Sequence, residues 1–111
     1  MEERLRAGLR AAMRERDPVA TAALRSVLGA LGNATAVPSP PSTATGDQHF
    51  AGSAVGLGAA EAARRVLTPE EEAAVVRAEI AERLAAAAEY GSGPAADRLR
   101  AEAAVLSSYL G

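Results

Sequence analysis

The sequence predicts an all-α fold, a small four-helix bundle made of two helical hairpins. Alanine is abundant and has the highest helix propensity, whereas it is depleted in strands. The aromatic residues are two tyrosines and one phenylalanine, so Leu, Val, Ile and Ala must form the core. Four segments repeat apolar residues at three- and four-residue spacing. A chain of 111 residues has room for one domain, here residues 1–111, and a domain of this size buries only roughly 60 to 70% of its unfolded surface.

Two helices are predicted before residue 37. The first covers residues 2–16 and the second residues 18–36. Asp17 is an N-cap residue and Pro18 occupies the first helical position, where a missing N–H costs nothing. The apolar stripe of the first helix is Leu5, Leu9, Ala12 and Met13, and that of the second is Ala20, Ala23, Leu24, Val27, Leu28 and Leu31. These two stripes predict one hairpin.

A linker separates this hairpin from the next. Residues 37–58, VPSPPSTATGDQHFAGSAVGLG, are rich in Pro, Gly, Ser and Thr and have no apolar periodicity. This composition predicts a flexible loop that is dispensable for folding, because closure entropy changes slowly with loop length.

The second hairpin begins at the clearest local signal in the chain. Thr68-Pro69-Glu70-Glu71 matches a capping box, which predicts a helix over residues 69–89 that Gly91 ends in a left-handed conformation. Pro94 restarts the chain as a fourth helix over residues 94–110, antiparallel to the third across the GSG turn. The third stripe is Ala73, Val76, Ile80, Leu84 and Ala87, and the fourth is Leu99, Ala103, Leu106 and Leu110.

Residues able to do enzyme chemistry are scarce. The chain has no cysteine, all of its basic residues except one histidine are arginine, and that histidine, His49, lies beside Phe50 in the predicted loop. A histidine in a polar loop is usually solvated, although the pair is also a conceivable docking element. We predict no catalytic residue, no cofactor, no metal site and no small-molecule substrate, so the chain alone is not expected to be an enzyme.

Two groups of acids have structural explanations. Glu70, Glu71 and Glu72 occupy a first helical turn, where the helix dipole favours acids without any metal. Glu79 and Glu82 are three residues apart, but Glu79 is also placed to pair with Arg83 at i,i+4. We therefore expect a solvated face there.

Four arginines are the candidate RNA or partner contact. Arg6, Arg10 and Arg14 are spaced by four on the first helix, and Arg25 lies on the second. Such a stripe suits phosphates. The alternative is a partly neutralised solvent face, because Glu2 can pair with Arg6 and Asp17 lies one turn from Arg14. No aromatic residue accompanies the stripe to stack on bases, and the net charge is -2, so we expect the solvent face.

The chain is expected to be cytoplasmic, with no membrane partner. Its first residues, MEERLRAGLR, have no apolar stretch of signal-peptide length, and no segment approaches the roughly 20 apolar residues that span a bilayer.

The order of the motifs resembles the GatB/YqeY family. The matching segments are LRAAMRERD, LRSVLGALGNA, LTPEEEAAVVRAEIAERLAAAAEY and AADRLRAEAAVLSSYL. Together they cover nearly the whole chain except the loop. The family-pattern residues are Met13, Arg14, Asp17, Leu24, Arg25, Arg83 and Tyr90. Gly32 and Thr35 depart from the pattern, since lysine and glutamate are common there, and the sequence stops at Gly111 where longer members continue into a second, three-helix bundle.

The resemblance implies a function but no catalytic residue. The second bundle of longer members is similar to the tRNA-associated tail of the B subunit of tRNA-dependent amidotransferases. The resemblance therefore implies a non-catalytic accessory module that contacts tRNA or a tRNA-handling protein. A bundle that binds only proteins is the alternative. A third reading is carbon–nitrogen ligase activity with glutamine as the amido donor, which only the family label supports.

Overall fold

The structure is a computed structural model that describes residues 1–36 and 65–111. The described part contains the helices α1 (Glu2–Arg14), α2 (Pro18–Thr35), α3 (Pro69–Tyr90) and α4 (Pro94–Ser107). The chain is thus the all-α four-helix bundle that the sequence predicts. The predicted loop at 37–58, with His49 and Phe50, lies outside the described residues.

Helix α2 is the centre of the bundle. It packs against α1, α3 and α4, while α3 and α4 form a closely packed hairpin of their own. All four helices contribute to one apolar core, which includes Leu5 of α1, Leu24 of α2, Val76 of α3 and Leu106 of α4. Each of these side chains is almost completely buried, which stabilises the fold by about 1.5 to 3 kcal/mol per residue.

The turn between α1 and α2 corrects the predicted end of the first helix. Helix α1 ends at Arg14 rather than at residue 16, because Arg16 adopts a φ of 57°. The backbone N–H of Asp17 then donates to the carbonyl of Ala12 at 2.9 Å, and the N–H of Arg16 donates to that of Met13 at 3.2 Å. This pair of bonds is a Schellman motif, formed here with arginine where glycine is usual.

Both predicted N-caps are confirmed. The Asp17 carboxylate accepts from the N–H of Ala20 at 3.1 Å. The Thr68 hydroxyl accepts from the N–H of Glu71 at 3.1 Å, and the Glu71 carboxylate accepts from the N–H of Thr68 at 2.9 Å. Each cap therefore satisfies backbone donors that the helix itself leaves unpaired.

The α3/α4 hairpin turns at two glycines. Gly91 has the predicted positive φ, 82°, but its ψ of -73° belongs to a γ-turn, in which the N–H of Ser92 donates to the carbonyl of Tyr90 at 3.0 Å. Gly93 has a φ of 102° and precedes α4. Helix α4 ends at Ser107, three residues before the predicted end, and the chain continues there as turns.

Two apolar side chains lie outside the core that the sequence assigned them to. Leu84 is 48% exposed and Met13 is 49% exposed. At about 100° per residue, Leu84 lies roughly 80° around α3 from Val76, whereas Ala87 lies only about 20° away and is buried. Met13 is displaced by a similar angle from Leu5 on α1. The apolar stripe that three- and four-residue spacing predicts is therefore wider than the face of the helix that is buried in the core.

The glycine pair on α2 is not a helix contact. A Cβ added at Gly29 or at Gly32 meets no atom within 4 Å among the described residues. Both glycines therefore face open space in the described part of the chain.

Candidate functional site

The arginine face is defined by Arg6, Arg10, Arg14 and Arg25, all of which are exposed. The three on α1 span about 12 Å along the helix and turn by about 80°, because each step of four residues rises 6 Å and rotates 40°. Arg6 donates to the carboxylate of Glu2 at 2.6 Å, the predicted ion pair. One member of the face is therefore neutralised.

Arg10 and Arg14 have no ion pair or side-chain hydrogen bond with any described residue. The sequence puts Asp17 one turn from Arg14, which is one reason to expect a partly neutralised face. In the structure the Asp17 carboxylate caps α2, as predicted, and forms no ion pair with Arg14. The face is consequently more positive than the sequence indicated.

Arg25 joins the face from α2. Its guanidinium Nη2 lies 3.8 Å from the sulfur of Met13, which is half exposed on α1. Arg25 thus lies against the helix that carries the other three arginines. The contact involves the thioether and leaves the positive charge unpaired among the described residues.

A second polar cluster lies where α2, α3 and α4 meet, and the Glu79–Arg83 ion pair is the part of it that the sequence predicted. The interhelical ion network comprises Ser26 of α2, Glu79 and Arg83 of α3, and Glu102 and Arg98 of α4. Arg83 donates to Glu79 at 3.0 Å and to Glu102 at 2.9 Å. The Ser26 hydroxyl donates to Glu79 at 2.7 Å.

The network corrects the expectation of a solvated face at Glu79 and Arg83. The side chains of Arg83 and Glu102 are each 11% exposed and that of Glu79 is 14% exposed. Glu82, the other member of the suggested carboxylate pair, is exposed and belongs to no ion pair of the described chain. Glu102 therefore joins α4 to α3 through Arg83, and Glu79 joins α3 to α2 through Ser26.

The first turn of α3 is also accounted for by local contacts. The N–H of Thr68, and after it the Arg65 guanidinium, hold the pKa of the Glu71 carboxyl below its ordinary value. Glu72 lies 4.0 Å from the N-terminal amine of Met1, and Glu70 is exposed. Within 1–36 and 65–111, no group of three or more metal-binding side chains is placed to hold a metal ion.

An open groove of about 470 Å³ lies between α1 and α4. Its floor is α2, at Ala20 and Leu24, and its walls are small side chains of α1 and α4. At one end the Tyr109 hydroxyl approaches α1 so closely that a Cβ at Gly8 would overlap it. The sequence offered one signal of this contact, a glycine in a helix interior, where glycine costs about 1 kcal/mol relative to alanine.

Tyr109 also contacts a residue near the start of α1. The Arg4 guanidinium carbon lies 5.4 Å from the centre of the Tyr109 ring, and Arg4 Nη1 donates to the Tyr109 carbonyl at 3.3 Å. These contacts hold the segment after α4 against α1.

The other residues that carry the family resemblance have different environments. Leu24 is buried in the core, Arg83 joins α3 to α4, and Tyr90 is 64% exposed at the end of α3. They therefore do not form one site.

The chain matches no protein-family model, no curated protein and no solved structure. No helix in the described part of the chain is both long and apolar enough to cross a bilayer.

Proposed function

We propose that this chain is a non-catalytic helical module that contacts tRNA, or a tRNA-handling protein, through the arginine face. The observation that carries the proposal is the state of Arg10 and Arg14, which are exposed and lack an acidic partner in the described part of the chain. With Arg25 beside Met13, they offer guanidinium groups from two adjacent helices to a phosphate backbone.

The character of the contact follows from what surrounds these arginines. Tyr90 lies at the end of α3, and Tyr109 lies against Gly8, about 160° around α1 from Arg10, so in the described part of the chain the arginine face has no aromatic ring to stack on bases. Such a face would contact the phosphate backbone and would not distinguish one base sequence from another. The resemblance to the GatB/YqeY family supports tRNA as the RNA in question.

Binding of labelled tRNA, measured by fluorescence anisotropy at 50 and 200 mM salt, tests the proposal. Three phosphate contacts give a salt slope of about -2.7, and thus about 40-fold weaker binding at the higher salt. The double variant Arg10→Gln/Arg14→Gln should reduce the slope by about two units.

A matched control removes the same charge from the second hairpin. Arg77 is exposed and lies about 160° around α3 from Glu79, whose carboxylate accepts a hydrogen bond from α2. Arg100 is also exposed, lies 3.9 Å from Asp97 and donates to the Gly91 carbonyl at 3.0 Å, so its substitution removes the charge together with a local hydrogen bond. We expect Arg77→Gln/Arg100→Gln to retain the wild-type slope. Equal losses in the two double variants would reduce the effect to net charge and contradict the proposal.

A bundle that binds only proteins is the second candidate. The groove between α1 and α4 and the exposed side chains of Leu84 and Tyr90 favour it. This candidate predicts no salt-steep binding of tRNA at micromolar concentration, and no effect of Arg10→Gln/Arg14→Gln other than on solubility.

A further inference from the structure

The groove between α1 and α4 has the form of an unfilled helix–helix interface. Both helices pack against α2, but they do not pack against each other. The groove is therefore bounded on three sides by helices, with α2 as its floor and Tyr109 across one end. Its lining residues follow α1 from Gly8 to Glu15, about 10 Å of helix, so a docked helix would contact that length of α1.

The walls permit a close approach. They consist largely of small residues, namely Gly8, Ala11 and Ala12 on α1, Ala104 on α4 and Ser108 at the C-cap of α4. Helices pack at axial distances of 8 to 10 Å according to the side chains at the contact, and small side chains give the shortest distances. A helix with residues of alanine to leucine size fits such walls.

The charged residues of the groove indicate the charge that a partner helix should carry. Of the described residues that line it, the charged ones are Glu15 and Asp17, which are both acidic and lie at the α1–α2 turn. Glu15 is exposed and belongs to no ion pair in the described part of the chain. Asp17 uses one carboxylate oxygen, Oδ1, to cap α2. The groove is thus lined mainly by small and apolar residues, and it is negatively charged at the end near the α1–α2 turn.

We propose that this groove docks a single amphipathic helix of a partner protein, whose apolar face lies along α2 and whose lysine or arginine meets Glu15 and Asp17. Charge complementarity at that end argues for a basic helix. The inference is independent of tRNA binding, because none of the four arginines of the arginine face lines the groove.

A displayed library of 18-residue helical peptides tests the proposal. The library fixes alanine or leucine at the core positions of a heptad and randomises the others, and it is selected on the full chain. We expect enriched peptides to carry lysine or arginine near one end. Their binding is then measured by fluorescence anisotropy on folded variants whose helical circular dichroism matches the wild type.

Two variants obstruct α4 in different places. Ala104 is exposed and lines the groove, so Ala104→Phe fills the groove without entering the core. Ala101 is exposed on the same helix but outside the lining, so Ala101→Phe is the matched control. We expect a loss of at least about tenfold in affinity in the first variant and none in the second.

Two further substitutions remove the charge and keep the fold. Asp17→Asn retains an N-cap residue, and Glu15→Gln retains the size of the side chain. Together they should weaken the selected peptides about fivefold at low salt and by less at high salt. Ala104→Phe should leave tRNA binding unchanged, which separates this inference from the proposed function.

Three results would overturn the inference. The first is that no peptide binds the wild type better than the Ala104→Phe variant. The second is that Ala101→Phe loses as much peptide affinity as Ala104→Phe. The third is that the selected peptides carry no basic residues. Sedimentation that shows a dimer of the chain dissociated by Ala104→Phe would assign the groove to a second copy instead.

Discussion

Arg83 on α3 and Glu102 on α4 form an ion pair at 2.9 Å in which each side chain is only 11% exposed. The same guanidinium reaches Glu79 at 3.0 Å, so one arginine serves two carboxylates of low exposure. Through the Ser26 hydroxyl, which donates to Glu79, the contact extends to α2. The ion pair therefore joins α3 to α4, and the Ser26 hydroxyl joins α2 to the same network.

Arg83→Met should destabilise the protein strongly. It leaves Glu79 and Glu102 close together without their shared cation, and the expected loss is about 2 to 4 kcal/mol in the free energy of unfolding. Arg98 pairs with the same Glu102 but is 51% exposed, so Arg98→Met should cost less than about 1 kcal/mol. Urea denaturation at pH 7 measures both. Equal losses would show that the low exposure of Arg83 has no energetic consequence.

Thr68→Ala should cost about 0.5 to 2 kcal/mol through loss of the N-cap. Residues 65–68 are not helical, and the N–H of Arg65 donates to the carbonyl of Thr35 at 3.0 Å, so no helical turn directly precedes Thr68 in the described part of the chain. Thr68→Ser keeps the hydroxyl and should cost little. A urea midpoint unchanged by Thr68→Ala would mean that another start of the helix replaces the cap.

The contrast between Thr68 and Arg83 shows which features a sequence reveals. The partner of Thr68 is Glu71, three residues away, so the capping box can be predicted from four consecutive residues. Arg83 meets Glu79 at i,i+4, which the spacing also predicts, but its other partner is 19 residues away across a turn. The exposure of an ion pair depends on that second helix, and for this reason the predicted solvated face was wrong.

The same limit applies to the candidate sites. The spacing of Arg6, Arg10 and Arg14 placed them on one stripe, and they lie there exposed. The pairing of Arg6 with Glu2 follows from their i,i+4 spacing, whereas the position of the Asp17 carboxylate relative to Arg14 depends on its rotamer, which spacing does not determine. The groove arises because α1 and α4 do not meet, a property of tertiary packing.

Arg16→Gly should stabilise the protein by about 0.5 to 1 kcal/mol. The left-handed conformation at φ 57° carries a penalty for an L-residue that glycine does not have, and part of the gain is offset by the greater freedom of glycine in the unfolded chain. Glu15 next to it has the ordinary right-handed φ of -82°, so Glu15→Gly should destabilise instead. Thermal unfolding of the two variants beside the wild type gives the signs. A loss at Arg16→Gly would mean that the arginine side chain makes a contact outweighing its backbone strain.

Acid should weaken the capping box. Because the pKa of Glu71 is lowered in the folded state, its contribution to stability is present above the ordinary value of 4.5 and is lost as the pH falls through the folded pKa. Glu71→Gln keeps a residue that fits a capping box but does not titrate, so this variant should lose less stability between pH 7 and pH 3 than the wild type. Glu70→Gln, one residue away and exposed, is the control. Equal pH dependence in the wild type and Glu71→Gln would contradict the assignment.

Gly8 and Tyr109 should be energetically coupled, and a double-mutant cycle measures the coupling. In an ordinary helix interior, Gly→Ala stabilises by about 1 kcal/mol. Here a Cβ would overlap the Tyr109 hydroxyl, so Gly8→Ala must displace the ring from its place beside Arg4, and the gain should be cancelled or reversed. In the Tyr109→Ala background the obstacle is absent, and the same substitution should recover the full gain of about 1 kcal/mol. Urea unfolding of the four proteins gives the interaction term directly. If Gly8→Ala stabilises equally in both backgrounds, the tyrosine does not occupy this position in solution, and the end of the groove is open.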